Sequence, residues 1–157
     1  MGHRSDHRPF TVWLLIILQL LLSLGALVSG ALMIAVPDGS LMNMPASMLQ
    51  YSPFSNFLIP GIILFLFNGC FPLAVAYSLW QKPTWRWPDT INPFKQRHWS
   101  WASSLAAGVI LLIWIVVEML MLQSIAFLQV VYLIWGGLLI LLTLARSVRL
   151  YCTPKKK

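Results

Sequence analysis

Apolar residues fill four long stretches of the chain, and polar residues collect between them. The stretches run from about Thr11 to Val36, Phe54 to Trp80, Trp99 to Leu122 and Ile125 to Arg146. A helix rises ~1.5 Å per residue, so ~20 apolar residues cross ~30 Å of hydrocarbon. Each stretch meets that length. The pattern predicts an all-α fold: a four-transmembrane-helix bundle, up-down-up-down, forming one integral membrane domain over residues 1–157 with tails at 1–10 and 147–157. In the longest connection of the non-basic side, "PDGS" (37–40) is a turn signal. After it, "NMPASMLQY" (43–51) predicts a short interfacial helix, with Asn43 as N-cap and Pro45 in its first turn.

Charge orders these spans. The chain is 59% hydrophobic and 10% charged, far below the ~25% charged residues of a soluble domain. All eleven Lys and Arg residues fall before the first span, between the second and third, or after the fourth. The positive-inside rule puts those segments in the cytoplasm, with both ends of the chain, in a cell or inner membrane. Trp13, Trp80, Trp85, Trp87, Trp99 and Trp101 gather at the same level as an interfacial belt, and Tyr51, Phe54 and Phe57 mark the opposite face. The first apolar stretch is longer than the ~7–15 residues of a signal-peptide core and is read as a retained span. The loop "QKPTWRWPDTINPFKQRH" (81–98) interleaves basic and aromatic residues. Contact with anionic headgroups explains it without nucleic acid, and the C-terminal "PKKK" reads alike.

Within the spans, polar residues are few: Gln19, Ser23, Asn68, Glu118, Gln129 and Thr143. Glu118 stands out in "WIVVEMLML" (114–122), because ionising a carboxyl group in hydrocarbon is expensive. It lies about four residues, or ~6 Å, from the outer end of its helix. No Lys or Arg is available on that side. The partners predicted for it are free N–H groups at a helix N-terminus, near Asn56–Leu58 with Pro60 and Gly61 following, or near Phe127–Gln129. Alternatively it stays protonated and donates to a carbonyl, Asn68 or Gln129. Helix packing in lipid needs small residues. Gly25-x3-Ser29 and Ala26-x3-Gly30, then Gly61 and Gly69, Ser104-x3-Gly108 and the pair Gly136-Gly137 supply them.

Other chemistry is sparse. Cys70 and Cys152 are far apart and form no CxxC, so neither a disulfide framework nor a dithiol site is expected. Met42, Met44 and Met48 are soft thioethers of the kind that suit Cu(I). With no His or Cys beside them they read as lipid anchors, and His3 and His7, flanking Asp6, do not read as a metal site. No metal or cofactor is predicted. Haem ligation lacks intramembrane His, and no hydrolase dyad is visible, so an enzyme is not expected.

"PFSNFLIPGIILFLFNG" (53–69) and "WIVVEMLMLQSIAFLQVVYLIWGG" (114–137) resemble segments of a group of small, uncharacterised four-span bacterial membrane proteins. The resemblance rests on Phe57, Pro60 and Gly61, then Trp114, Ile115, Val117 and Glu118, then Gln129, Tyr132 and Gly136. It implies the architecture and brings no activity. Small multidrug exporters also have four helices and one intramembrane Glu, but theirs lies in the first span, which here has no acid. The expected function is therefore interaction without catalysis: an accessory subunit or homo-oligomeric bundle, alone or within a larger membrane complex. The alternative is a proton- or cation-coupled transporter or channel subunit using Glu118.

Overall fold

The computed structural model describes residues 8–153; His3, Asp6, His7 and the basic "PKKK" lie outside them. Helix α1 is Phe10–Ala35 and α2 is Leu58–Gln81. A short α3 (Arg86–Ile91) precedes α4 (Trp99–Leu122), α5 (Phe127–Leu144) and a short α6 (Arg146–Tyr151). No strand occurs among the described residues. The four long helices are apolar and long enough to cross a membrane, and they form an antiparallel all-α bundle.

Two departures from the expected boundaries have local causes. The second apolar stretch becomes helical only at Leu58, because Phe57 N–H is held by Pro37 O at 2.8 Å and Leu58 N–H by Asn56 Oδ1 at 3.0 Å. The fourth breaks at Ala145, whose ψ of 141° ends α5 and turns the chain into α6.

The predicted interfacial helix is two 3₁₀ turns instead, Ser40–Met42 and Ala46–Leu49. Asn43 does not cap the second turn. It adopts a left-handed conformation (φ 52°) and closes the first, while Pro45 occupies the N-cap of the second. Pro45 disfavours helical geometry at Met44, which separates the two turns.

α2 is not a uniform helix. Leu64–Cys70 widens into a π-helix, with Phe71 N–H reaching Leu66 O. Pro72 follows immediately and carries no N–H, so the α ladder is already interrupted there. The Gly69 carbonyl inside the wide segment accepts from Ser23 Oγ of α1 at 2.8 Å.

Two helix pairs meet at glycines. A Cβ added to Gly30 of α1 would lie 2.9 Å from Gly61 O of α2, and one on Gly61 would lie 2.6 Å from Met33 Cβ. Gly108 of α4 and Gly136 of α5 approach in the same manner, each facing the other's carbonyl oxygen at 3.2–3.3 Å from an added Cβ. Gly137 has nothing within 4 Å of an added Cβ and takes no part in packing inside the bundle. Gly25 sits more openly, 3.6 Å from the Tyr132 hydroxyl by the same measure.

Below these crossings, Val12, Leu15, Ile16, Val75, Leu79 and Leu139 form a packed apolar layer. A buried polar chain runs beside it: Gln19 Nε2 to Ser104 Oγ at 3.4 Å, then Ser104 Oγ to Thr143 Oγ1 at 2.8 Å. Trp101 donates to Thr143 O at 2.8 Å and is only 3% exposed, so it belongs to the core and not to the belt. Trp99 is buried as well, whereas Trp13, Trp80, Trp85 and Trp87 stay exposed.

The basic end is tied together by side chains reaching backbone carbonyls. Tyr151 Oη donates to Leu79 O, Arg8 to Trp80 O and Trp99 Nε1 to Pro83 O. Burial pushes the free thiol of Cys152 upward in pKa, which suits an inert packed sulfur. His98 N-caps α4: Nδ1 accepts from Ser100 N–H, and Nε2 lies 3.2 Å from Pro83 O. Burial holds this imidazole below its ordinary value of 6.5; the Lys82 charge acts in the same sense, against Pro83 O and Asp89. The neutral ring is thus the form the fold favours. Its contribution is complete above 6.5 and is lost as the pH falls through the lowered value. Helicity in detergent is expected to soften below that range in the native chain, but not in His98→Asn, which caps without titrating. Identical pH profiles would contradict this.

Candidate functional site

At the opposite end the helices do not close on each other. Between α1, α2, α4 and α5 lies a cavity of about 240 Å³. Its walls are mostly apolar, with Leu22, Ala26, Leu64, Leu111 and Ile115 among them. Its roof is the loop after α1: Met42, Met44, Leu49 and Phe57. Phe57 is 2% exposed, so it is a plug under the loop and not a belt residue. Met42 and Met44 pack beside Met33 and Met121, while Met48 of the same sequence cluster is exposed. The three methionines therefore do not share one site. No group of three His, Cys, Asp or Glu able to hold a metal occurs among the described residues.

The polar groups of the cavity come from all four long helices, Ser29 being the one from α1. Gln129, in the first turn of α5, uses its side chain twice: Oε1 accepts from Ala126 N–H at 2.9 Å, and Nε2 donates to Glu118 Oε1 of α4 at 3.3 Å. Trp114, one turn before Glu118, lines the same cavity. Glu118 thus meets the start of α5 through the Gln129 side chain, not through free backbone N–H groups. The Asn56–Leu58 region does not serve it either, because Asn56 is occupied with Leu58 N–H in its own turn. Pro60 lines the cavity, but Gly61 is spent on the crossing with α1.

Tyr132 lies one turn further along α5 and lines the same space, opposite Gly25 and Ser29 of α1. Deeper still is Asn68, placed by the π segment of α2 and 1% exposed. Neither its Nδ2 nor its Oδ1 has a hydrogen-bond partner. The structure therefore brings Glu118, Trp114, Asn68, Gln129 and Tyr132 to one cavity, together with Gly25, Ser29 and Pro60. Gly30, Gly61 and Gly136 act at helix crossings, and Gly137 at neither.

The roof was not legible as such. Its only sequence signal is the excess of Met and Phe in a segment bounded by turn residues. Apolar walls with a few convergent polar groups are the usual build of a small-molecule site. Comparison with protein-family models, curated protein sequences and solved structures finds no match.

Proposed function

We propose that this multi-pass membrane protein acts by binding: it holds a small, mostly apolar molecule, uncharged or singly cationic, in the cavity between its four long helices. One observation supports this most directly. The cavity is lined by all four spans and carries a half-buried carboxyl group with no basic side chain among its lining residues. An anion finds no counter-charge there, whereas an amine or hydroxyl meets Glu118, Gln129 and Tyr132. The basic end then faces the cytoplasm and anionic headgroups, so the cavity opens toward the outer side. An accessory role follows naturally, the bundle presenting its guest to a larger complex or to a second copy. Catalysis has no support from this arrangement. Coupled transport has less support than binding, because Leu15, Val75, Leu79 and Leu139 pack into a closed layer beneath the cavity.

The test uses octylamine and octanoate as probes, added to the protein in phosphatidylcholine nanodiscs, with thermal unfolding as the readout. A bound guest raises the midpoint saturably. Octylamine is expected to do so and octanoate is not. Glu118→Gln should weaken octylamine about tenfold, the scale of one charge-assisted hydrogen bond. A shift by neither probe, or equal shifts by both, would overturn the reading.

A further inference from the structure

Most buried polar side chains of the spans are satisfied. Ser23 donates to Gly69 O, Ser78 to Val75 O, and Ser104 and Thr143 bond each other. Gln129 uses both ends of its amide, and Gln19 uses one. Asn68 uses neither. An unpaired amide in an apolar interior costs on the order of a few kcal/mol, and a leucine of similar shape would avoid that cost. The position is also held firmly. The adjacent Gly69 carbonyl is anchored to Ser23, and an added Cβ on Gly69 would press to 2.8 Å against Leu27. A π segment often marks a functional position, because the wide turn re-aims the residues it carries.

We infer that Asn68 is the recognition group of the cavity, and that it selects a guest whose buried end is a carboxamide or lactam: a carbonyl acceptor beside an N–H donor. The inference rests on the guest-binding reading above and names the chemistry of its deep end. A carboxamide presents its own donor and acceptor side by side in one plane. The group that completes both at once has the same edge, forming two antiparallel N–H···O bonds. A ketone or ether completes only the donor. A carboxylic acid has the right edge, but ionises, and no Lys or Arg lines the cavity to hold the anion. The remaining body of the guest lies against Leu22, Ala26, Leu64 and Leu111, and its other end reaches Glu118 and Gln129.

The experiment compares octanamide with 2-nonanone, which has the same length and shape with CH₃ in place of NH₂. Octylamine is the control for the cavity itself, and thermal unfolding in phosphatidylcholine nanodiscs is again the readout. On the native chain, octanamide is expected to half-saturate at about one-tenth the concentration of 2-nonanone, the worth of one added hydrogen bond in a dry site. Asn68→Leu should unfold at a higher temperature than the native chain without any probe, and should bind the two probes equally. If octylamine shifts the midpoint but octanamide and 2-nonanone do not differ on the native chain, the recognition role fails while guest binding stands. If Asn68→Leu unfolds at a lower temperature, the amide is a structural fastening and the inference falls. If no probe shifts the midpoint, guest binding fails with it.

Discussion

Gly30→Leu is expected to cost the bundle roughly 3 kcal/mol, the upper part of the range for overpacking a closed interface. The added Cβ alone would lie 2.8 Å from Phe65 Cβ and 2.9 Å from both Gly61 O and Phe65 N. Two of those three atoms are backbone, so no side-chain rotation relieves the contact. α1 must instead move away from α2, which also strains the Ser23–Gly69 hydrogen bond one crossing further along. Gly137→Ala is the matched control. Nothing lies within 4 Å of its added Cβ, and alanine favours the helix over glycine by up to about 1 kcal/mol. Circular dichroism melts in detergent should show Gly30→Leu unfolding far earlier and Gly137→Ala no earlier than the native chain. Equal midpoints for the two variants would mean that the Gly30–Gly61 crossing does not hold the helices together.

Glu118 supports the second large effect. Glu118→Leu removes the acceptor of Gln129 Nε2, leaving a donor on a residue that is 2% exposed without its partner. The expected loss is about 1–3 kcal/mol, the cost of one buried unsatisfied polar group. Glu118→Gln keeps a side-chain oxygen in place and should stay within about 1 kcal/mol of the native chain. Because Gln129 also holds Ala126 N–H, the damage in Glu118→Leu should appear at the start of α5. Hydrogen exchange at Phe127–Gln129 would locate it. If leucine and glutamine are tolerated equally, Glu118 is not a fastening, and its value lies in guest binding alone. The two roles separate cleanly, since glutamine spares the fold while weakening an amine guest.

Much of the architecture was readable in advance because the bilayer imposes strong rules. A run of ~20 apolar residues has few other fates, and the third span begins and ends at the expected residues, Trp99 and Leu122. Small residues also signalled close helix approach. Yet the pair Gly136-Gly137 shows the limit of that signal. The two neighbours point to different faces of one helix, and only Gly136 meets α4. The tryptophan belt shows a similar limit. Composition groups Trp101 with Trp87, but one is buried on Thr143 O and the other is exposed.

The Glu118 partner illustrates why a site is harder to read than a span. Depth and side follow from counting residues, and both point to the start of α5. Which atom answers the carboxyl group depends on a rotamer: Gln129 folds back to cap Ala126 and still reaches Glu118. The short interfacial helix failed for a local reason, the proline at position 45 dividing the segment into two turns.

By itself the sequence determined four apolar spans, their alternation and the gathering of positive charge at one end, because burial of apolar length and charge asymmetry are sums over many residues. The tertiary structure decided what sums cannot express. It widened α2 into a π segment, folded Phe57 and two methionines over the open end, and left Asn68 unpaired in the space between four helices. Those outcomes depend on individual contacts among residues distant in the chain, so they exist only once the helices have packed.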